Sequence, residues 1–371
     1  MEDNGFGGEA RVPDVPLVRG SEITSFKRCQ QAWYWSWVEG LTPRVEKQDA
    51  LWVGTGVHLA MAEWYIPGRE RGVHPRVTWE KYAKDSRAQM ATETYNAGSD
   101  SFERSWEDSY ELIGNLMDEY VRYWGQDEHW EVLAPEQRFA VDIPRFIRDE
   151  QGKWVPEAGS GAVVKFIGTY DLPIRDHHDG RVKIVDHKTA KAITTNHLGM
   201  DPQANGYCAV GTHTLRELGK IGPREVVSGM EYNFLRKGKI DERPRDAEGY
   251  ALNKDGSRSK TQPAPLFERC FIQRNVYERN GQIVRISQDA ERMQRVREEI
   301  ADGIPPMKSF SRECTWCTFF EMCELDNSGG DVEYYKESVF TTQDMYSDHH
   351  EGAVNSKTSL AEHNSTKGED S

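Results

Sequence analysis

The chain has 371 residues, enough for one large α/β domain or two smaller ones with a sizeable core. Only 37% of it is hydrophobic, but 11 Trp, 13 Phe and 15 Tyr supply large burial areas, and no stretch approaches the roughly eighteen apolar residues that span a membrane. Net charge is −14, of which −7 falls in residues 326–371 (ten acids against three lysines), so the balance neither demands nor excludes a nucleic-acid partner.

The acidic start, Met-Glu-Asp-Asn-Gly, lacks the basic and apolar regions of a signal peptide, so a soluble, cytoplasmic protein is expected. Residues 1–20 hold two prolines and four glycines without periodicity and read as a flexible lead-in. Ser21 then looks like the N-cap of a helix over about 22–38, with Phe26, Cys29, Trp33 and Trp37 on one stripe. A second helix follows Gly54-Thr-Gly-Val-His58, placing His58, Met61, Ala62 and Tyr65 on one face, and further helical patterns run near 76–96 and 105–125.

After residue 130 the period changes to two. Strand-like runs lie at 130–143, 162–175, 181–187, 226–236 and 266–274, with a helix carrying Gln203 and Tyr207 between the third and fourth. Residues 240–264 are polar and read as a mobile excursion. A charged helix near 287–302 leads into a cysteine-rich end, and residues 326–371 read as an acidic, disordered tail. The order predicts one mixed α/β domain over about 21–325, with a central sheet flanked by helices.

Chemistry concentrates at two places. Val182 to Lys188 is an apolar run ending in Asp-His-Lys, and side chains two apart on a strand share a face, so Asp186 and Lys188 project together. Asp171 ends a second apolar run. Two carboxylates can hold Mg²⁺ or Mn²⁺, which activates water beside a phosphodiester, while an ammonium orients that water or steadies the charge that develops. The His187 carbonyl, the His58 imidazole and Glu136 are further candidates around such an ion.

The second place is Cys314-x2-Cys317-x5-Cys323, three thiols that need a fourth. Cys29 is the natural partner, whereas Cys208 and Cys270 lie in apolar surroundings. Four thiolates hold either zinc or a [4Fe–4S] cluster.

Taken in order, Gly54-x3-His58, Gly168-Thr-Tyr-Asp171-Leu, Ile-Val-Asp186-His-Lys188-Thr and Gln203-x3-Tyr207 resemble the motifs of the RecB-like nucleases of the PD-(D/E)XK superfamily. The resemblance implies a restriction-endonuclease-like fold, metal on His58, Asp171 and Asp186, a catalytic Lys188, and Gln203 and Tyr207 lining the site or touching DNA. Glu136 falls where the family often has an acid on the first core strand. Tyr170 stands where the superfamily's eponymous proline would, a change the RecB-like branch tolerates. The cysteine layout is similar to the iron–sulfur branch of these nucleases, which implies [4Fe–4S] rather than zinc on Cys29, Cys314, Cys317 and Cys323.

The function expected is a metal-dependent DNA exonuclease acting on single strands or DNA ends, in recombination, replication or repair. The alternatives are a non-catalytic DNA-end-binding or assembly subunit on the same scaffold, or the nuclease subunit of a helicase complex. No Gly-x4-Gly-Lys-Ser/Thr loop is present, so a motor would be a separate chain. Arg236, Lys239, Arg243, Arg258 and Lys183 are candidate phosphate contacts, and Tyr34 or Trp35 a stacking platform for bases.

Overall fold

The computed structural model of the chain describes residues 15–44, 49–93 and 100–349. The N-terminal third is mostly helical: β1 (Leu17–Arg19), α1 (Gly20–Arg28), α2 (Gln30–Trp33) with a π-helical turn (Tyr34–Val38), β2 (Leu41–Pro43), α3 (Asp49–Trp64), α4 (Pro75–Glu93) and α5 (Asp100–Trp124). Strands follow as β3 (Trp130–Val132), β4 (Gln137–Pro144), a hairpin of β5 (Phe146–Arg148) and β6 (Trp154–Pro156), β7 (Ala162–Tyr170), β8 (Leu172–Asp176) and β9 (Arg181–Ala190). Then come α6 (Pro202–Glu217), β10 (Val227–Arg236), β11 (Phe267–Gln273), α7 (Val276–Ala301), α8 (Phe320–Asn327), α9 (Val332–Val339) and β12 (Phe340–Thr342).

Five strands form the central sheet in the order β11-β10-β9-β8-β3, with β9 and β10 parallel and the other neighbours antiparallel. Helices cover both faces. Val182 and Ile184 of β9 join a core with Ala204 and Cys208 of α6 and Ile286 and Met293 of α7. Val185 points the other way, to Val57 and Met61 of α3 and Met117 and Tyr120 of α5. A strand buried on both sides needs apolar side chains in succession rather than in alternation, which is why 182–185 reads as a run. The expected mixed sheet flanked by helices is the architecture observed. A second sheet, β1-β7-β4, passes into the first where β7 meets β8 at the single residue Asp171.

Four expectations need correction. The lead-in does not extend to residue 20, because β1 pairs in parallel with β7 through Leu17↔Lys165 and Arg19↔Ile167. The single helix over 22–38 breaks at Cys29, whose backbone is extended (φ −162°, ψ 116°). There the Gln31 N–H bonds to the Met307 carbonyl at 3.2 Å, a tertiary bond in place of a helical one. The charged helix starts at Val276, well before 287, because Asn275 and Glu278 form a reciprocal capping box that no apolar stripe announces. The acidic tail is folded to His349: β12 pairs with β2, and Phe340 is buried against Phe319. Residues 350–371 lie outside the described residues.

The excursion at 240–264 carries two bridges, Arg245↔Ala251 and Leu252↔Arg258. Two of its basic side chains are spent internally, Arg243 on Asp241 and Arg258 on Asp246 and Glu248.

Beneath the central sheet lies a buried polar network. Arg269 is clamped between the rings of Trp124 and Trp130, 3.8 and 3.9 Å from their centroids, and pairs with Asp127 at 2.7 Å. Tyr65 donates to Asp127 at 2.6 Å, and Asn233 donates to the Tyr120 hydroxyl at 2.8 Å. Arg269→Met would strand the Asp127 carboxylate in the core, so urea unfolding is expected to register a loss of about 3–5 kcal/mol.

Candidate active site

Asp171 sits where the two sheets meet, and this bend assembles the site. Its carbonyl accepts the Glu136 N–H at 2.8 Å, which fixes the β4 entry opposite it. Its carboxylate accepts the His187 backbone N–H at 2.9 Å. His58, from α3, brings Nδ1 to 3.3 Å from Asp171 and 3.8 Å from Glu136. One ligand atom from each of His58, Glu136 and Asp171 thus falls within 4.8 Å of the others. Glu136 lies in the turn before β4, not on the strand as expected, and its φ of 46° is a left-handed conformation that turns a buried carboxylate toward this cluster.

Asp186 and Lys188 share a face of β9, as the two-residue period requires. Lys188 Nζ is 2.8 Å from Asp186 and 3.0 Å from the Gln203 carbonyl oxygen, and the Gln203 amide donates to Asp186 at 3.4 Å. Gln203 is held in turn by α6, whose first turn is capped by Asp201 and opened by Pro202. Tyr207, one helical turn on, packs edge-on against Phe139 and Tyr170.

Electrostatics separates the two aspartates. Burial disfavours ionisation of Asp171, but the facing His58 and the His187 amide outweigh it and hold the carboxyl below the usual range. Asp186 is pushed up to about 6, chiefly by burial, with Lys188 opposing and the Asp171 charge adding to the rise. Burial also opposes the Lys188 charge, yet Asp186 beside it raises the ammonium above its ordinary value. Lys188 is therefore a cation at neutral pH rather than a base.

The His187 ring points to the opposite face, stacked on Tyr65 at 6.0 Å, with Nδ1 2.8 Å from Asn233. Burial holds it near 3, so it is neutral. The ring is not part of the carboxylate cluster. Its carbonyl and N–H leave the strand along one edge, the side of Asp171.

Tyr170 is buried between Phe139 and Tyr207. Gly168 explains how the rings fit: a Cβ there would lie 2.6 Å from Phe139 and 3.3 Å from Tyr207. Gly168→Ala is expected to cost about 1–3 kcal/mol by overpacking, read as a lower thermal midpoint with reduced activity from a displaced Tyr207.

A groove of about 810 Å³ opens onto Glu136, Asp171, Gln203 and Tyr207, with Arg19 and Arg28 on its α1 wall. Neither arginine stood out in the sequence. Arg19 ends a three-residue strand and bonds Asp348 of the tail, while the Tyr346 hydroxyl donates to buried Glu22 at 2.6 Å. Of the expected phosphate contacts, Lys183 is buried among Asp176, Asp179 and Glu231, and Arg236 is bonded to the carbonyls of Ala264 and Pro265. Trp35 is buried, which removes it as a stacking platform.

The four expected cysteines line one cavity of about 250 Å³ with Trp35 and Phe319. Cys29 reaches it from the break between α1 and α2, Cys314 and Cys317 from a 3₁₀ turn and its cap, and Cys323 from α8. Cys208 is buried in the main core.

The family model of the PD-(D/E)XK nuclease superfamily matches residues 20–324. No curated protein sequence matches the chain. Among solved structures, it is similar to a crystal structure from Eubacterium rectale provisionally named an exonuclease, at 12% identity and a TM-score of 0.42, over 89% of this chain and 100% of that one. The family match takes in every residue of the carboxylate centre, from His58 to Tyr207, and all four clustered cysteines: the chain belongs to the PD-(D/E)XK nuclease superfamily.

Proposed function

We propose that the chain is a metal-dependent deoxyribonuclease of the exonuclease type, acting on single-stranded DNA or DNA ends, in the iron–sulfur branch of the RecB-like nucleases. One observation carries this reading: Glu136 and Asp171 converge with His58 within 4.8 Å at a groove with arginines on its wall, and Asp186, close enough to feel the Asp171 charge, is paired with the Lys188 ammonium. Such an excess of buried negative charge calls for a divalent cation. The donor set fits Mg²⁺ or Mn²⁺, and the His58 nitrogen favours Mn²⁺.

Asp171, Asp186, Glu136, His58 and the His187 carbonyl are the groups that would hold the ion. When bound, it supplies Lewis acidity toward water and the scissile phosphate. Lys188 has three N–H donors; Asp186 and Gln203 take two, leaving one for the attacking water or a phosphate oxygen. Gln203 fixes both charged partners at once, and Tyr207 packs beneath it. Arg19 and Arg28 would receive the DNA backbone.

The cysteine cavity supports a [4Fe–4S] cluster over zinc. Tetrahedral zinc bound at 2.3 Å draws its sulfurs to about 3.8 Å apart. The four sulfurs line one cavity with aromatic walls, Trp35 and Phe319, which offers room for a group larger than a single ion. Burial, with the neighbouring thiols adding to it, raises Cys317 and Cys323, so a cationic centre favours their thiolates.

Exonuclease action is tested with linear and circular single-stranded DNA in Mn²⁺. Degradation of the linear strand alone supports it, whereas cutting of the circle makes the enzyme an endonuclease.

A further inference from the structure

Asp171 and Asp176 stand at opposite ends of β8, about 17 Å apart by the rise of an extended strand. At the Asp176 end a second set of metal-type ligands converges. One ligand atom from each of His129, Asp176 and His178 falls within 4.8 Å of the others. The two imidazoles lie parallel, 3.9 Å between centroids and 5° between planes, so one ring must turn for both in-plane lone pairs to meet one ion. Their segments are tied by the β3–β8 ladder, with Trp130 opposite Asp176, and by the His177 N–H donating to the His129 carbonyl at 2.8 Å.

We propose that His129, Asp176 and His178 form a second metal site, separate from the carboxylate centre, for a borderline transition-metal dication of the zinc class. Two imidazoles and one carboxylate, with the fourth position open to water, is a donor set that such ions favour and that Mg²⁺ does not. The separation along β8 is far beyond the 3.5–4 Å of a two-metal catalytic pair, so this site does not share the phosphate chemistry. It clips the β8–β9 turn to the start of β3, bracing from behind the strand that leads to Asp171.

The surrounding charge suits a cation. Lys183 touches Asp176 at 2.6 Å, Asp179 at 3.0 Å and Glu231 at 3.5 Å, so three carboxylates surround one ammonium. Asp176 also accepts the His178 N–H at 3.0 Å, which leaves each of its oxygens a further lone pair. The neighbouring His177 is already engaged, 3.0 Å from Glu131, and takes no part.

The test uses the full-length, cluster-loaded protein carrying His58→Ala, Asp171→Asn and Asp186→Asn, so that the carboxylate centre does not compete. Co²⁺ is titrated by its visible ligand-field absorption and then displaced with Zn²⁺. One Co²⁺ per chain is expected, displaced by Zn²⁺, with affinity at least tenfold weaker in His129→Ala and in His178→Ala. Both are partly exposed positions, and unchanged metal-free melting curves verify the fold. With the carboxylate centre left wild type, both variants keep Mn²⁺-dependent DNA cleavage. Absence of Co²⁺ binding, or equal affinity in parent and variants, would overturn the site.

Discussion

Asp171→Asn and Asp186→Asn are expected to abolish the same DNA cleavage while moving stability in opposite directions. In chelator at pH 7.5, Asp171→Asn loses about 1–3 kcal/mol, because the ionised carboxylate is the form that His58 and the His187 amide stabilise. A carboxyl whose folded pKa is depressed contributes stability above its unfolded pKa, and that contribution is lost as pH falls through the folded one. The deficit of Asp171→Asn therefore closes in acid. Asp186 has the other sign. Its carboxyl, pushed up to about 6 by burial, costs the folded state once ionised, so a neutral amide gains about 1–3 kcal/mol at pH 7.5. That gain shrinks as pH falls below about 6, where wild-type Asp186 itself becomes neutral. Added Mn²⁺ reverses the ranking, since wild type alone acquires binding energy from the ion. Thermal melting of the three proteins, with chelator and with Mn²⁺, checks every sign. Equal shifts in the two variants would refute the electrostatic distinction between the aspartates.

The second large effect is expected at Cys29. A cluster joining Cys29 to Cys314, Cys317 and Cys323 closes a loop of about 285 residues and pins α1 to the folded tail. Cys29→Ser is expected to remove the visible iron–sulfur absorption and to cost about 2–5 kcal/mol, the range for loss of a native cross-link. For a chain of this size the thermal midpoint then falls by roughly 3–7 °C. Arg28 ends the helix at the break and Arg19 precedes its first residue, so DNA affinity weakens as well. Iron and zinc analysis of wild type distinguishes the two metals: about four irons per chain with no zinc supports the cluster, and one zinc without iron rejects it.

What the sequence revealed was local. Val182–Lys188 disclosed both its strand and its reactive face, because a strand buried on two sides is apolar in succession and its first charged residues mark where it emerges. Asp171 was legible at the end of an apolar run, whereas Gln203 and Tyr207 were picked out only by the resemblance to RecB-like nucleases; Asp201-Pro202 carried a helix-start signal that could have been used. The departures were set by distant partners. Nothing around Cys29 announces a break, since the bond that replaces the helical one comes from Met307. Glu136 looked like a strand residue because a left-handed turn depends on the Asp171 carbonyl across the sheet. The tail looked disordered because a few aromatic side chains, Phe340 and Tyr346 among them, anchor a segment otherwise polar. The pairing of Arg269 with Asp127 spans 142 residues, and no pattern of period two or 3.6 encodes it.

If Lys188 works as a fixed ammonium beside metal-binding carboxylates, single-turnover cleavage of end-labelled, linear single-stranded DNA in Mn²⁺ separates wild type from Lys188→Met. Wild type is expected to cleave with Mn²⁺ and to stop on chelation, and Lys188→Met to cleave about 10²–10³-fold more slowly with DNA binding retained. Equal rates in the two proteins, or cleavage that survives chelation, would contradict that arrangement.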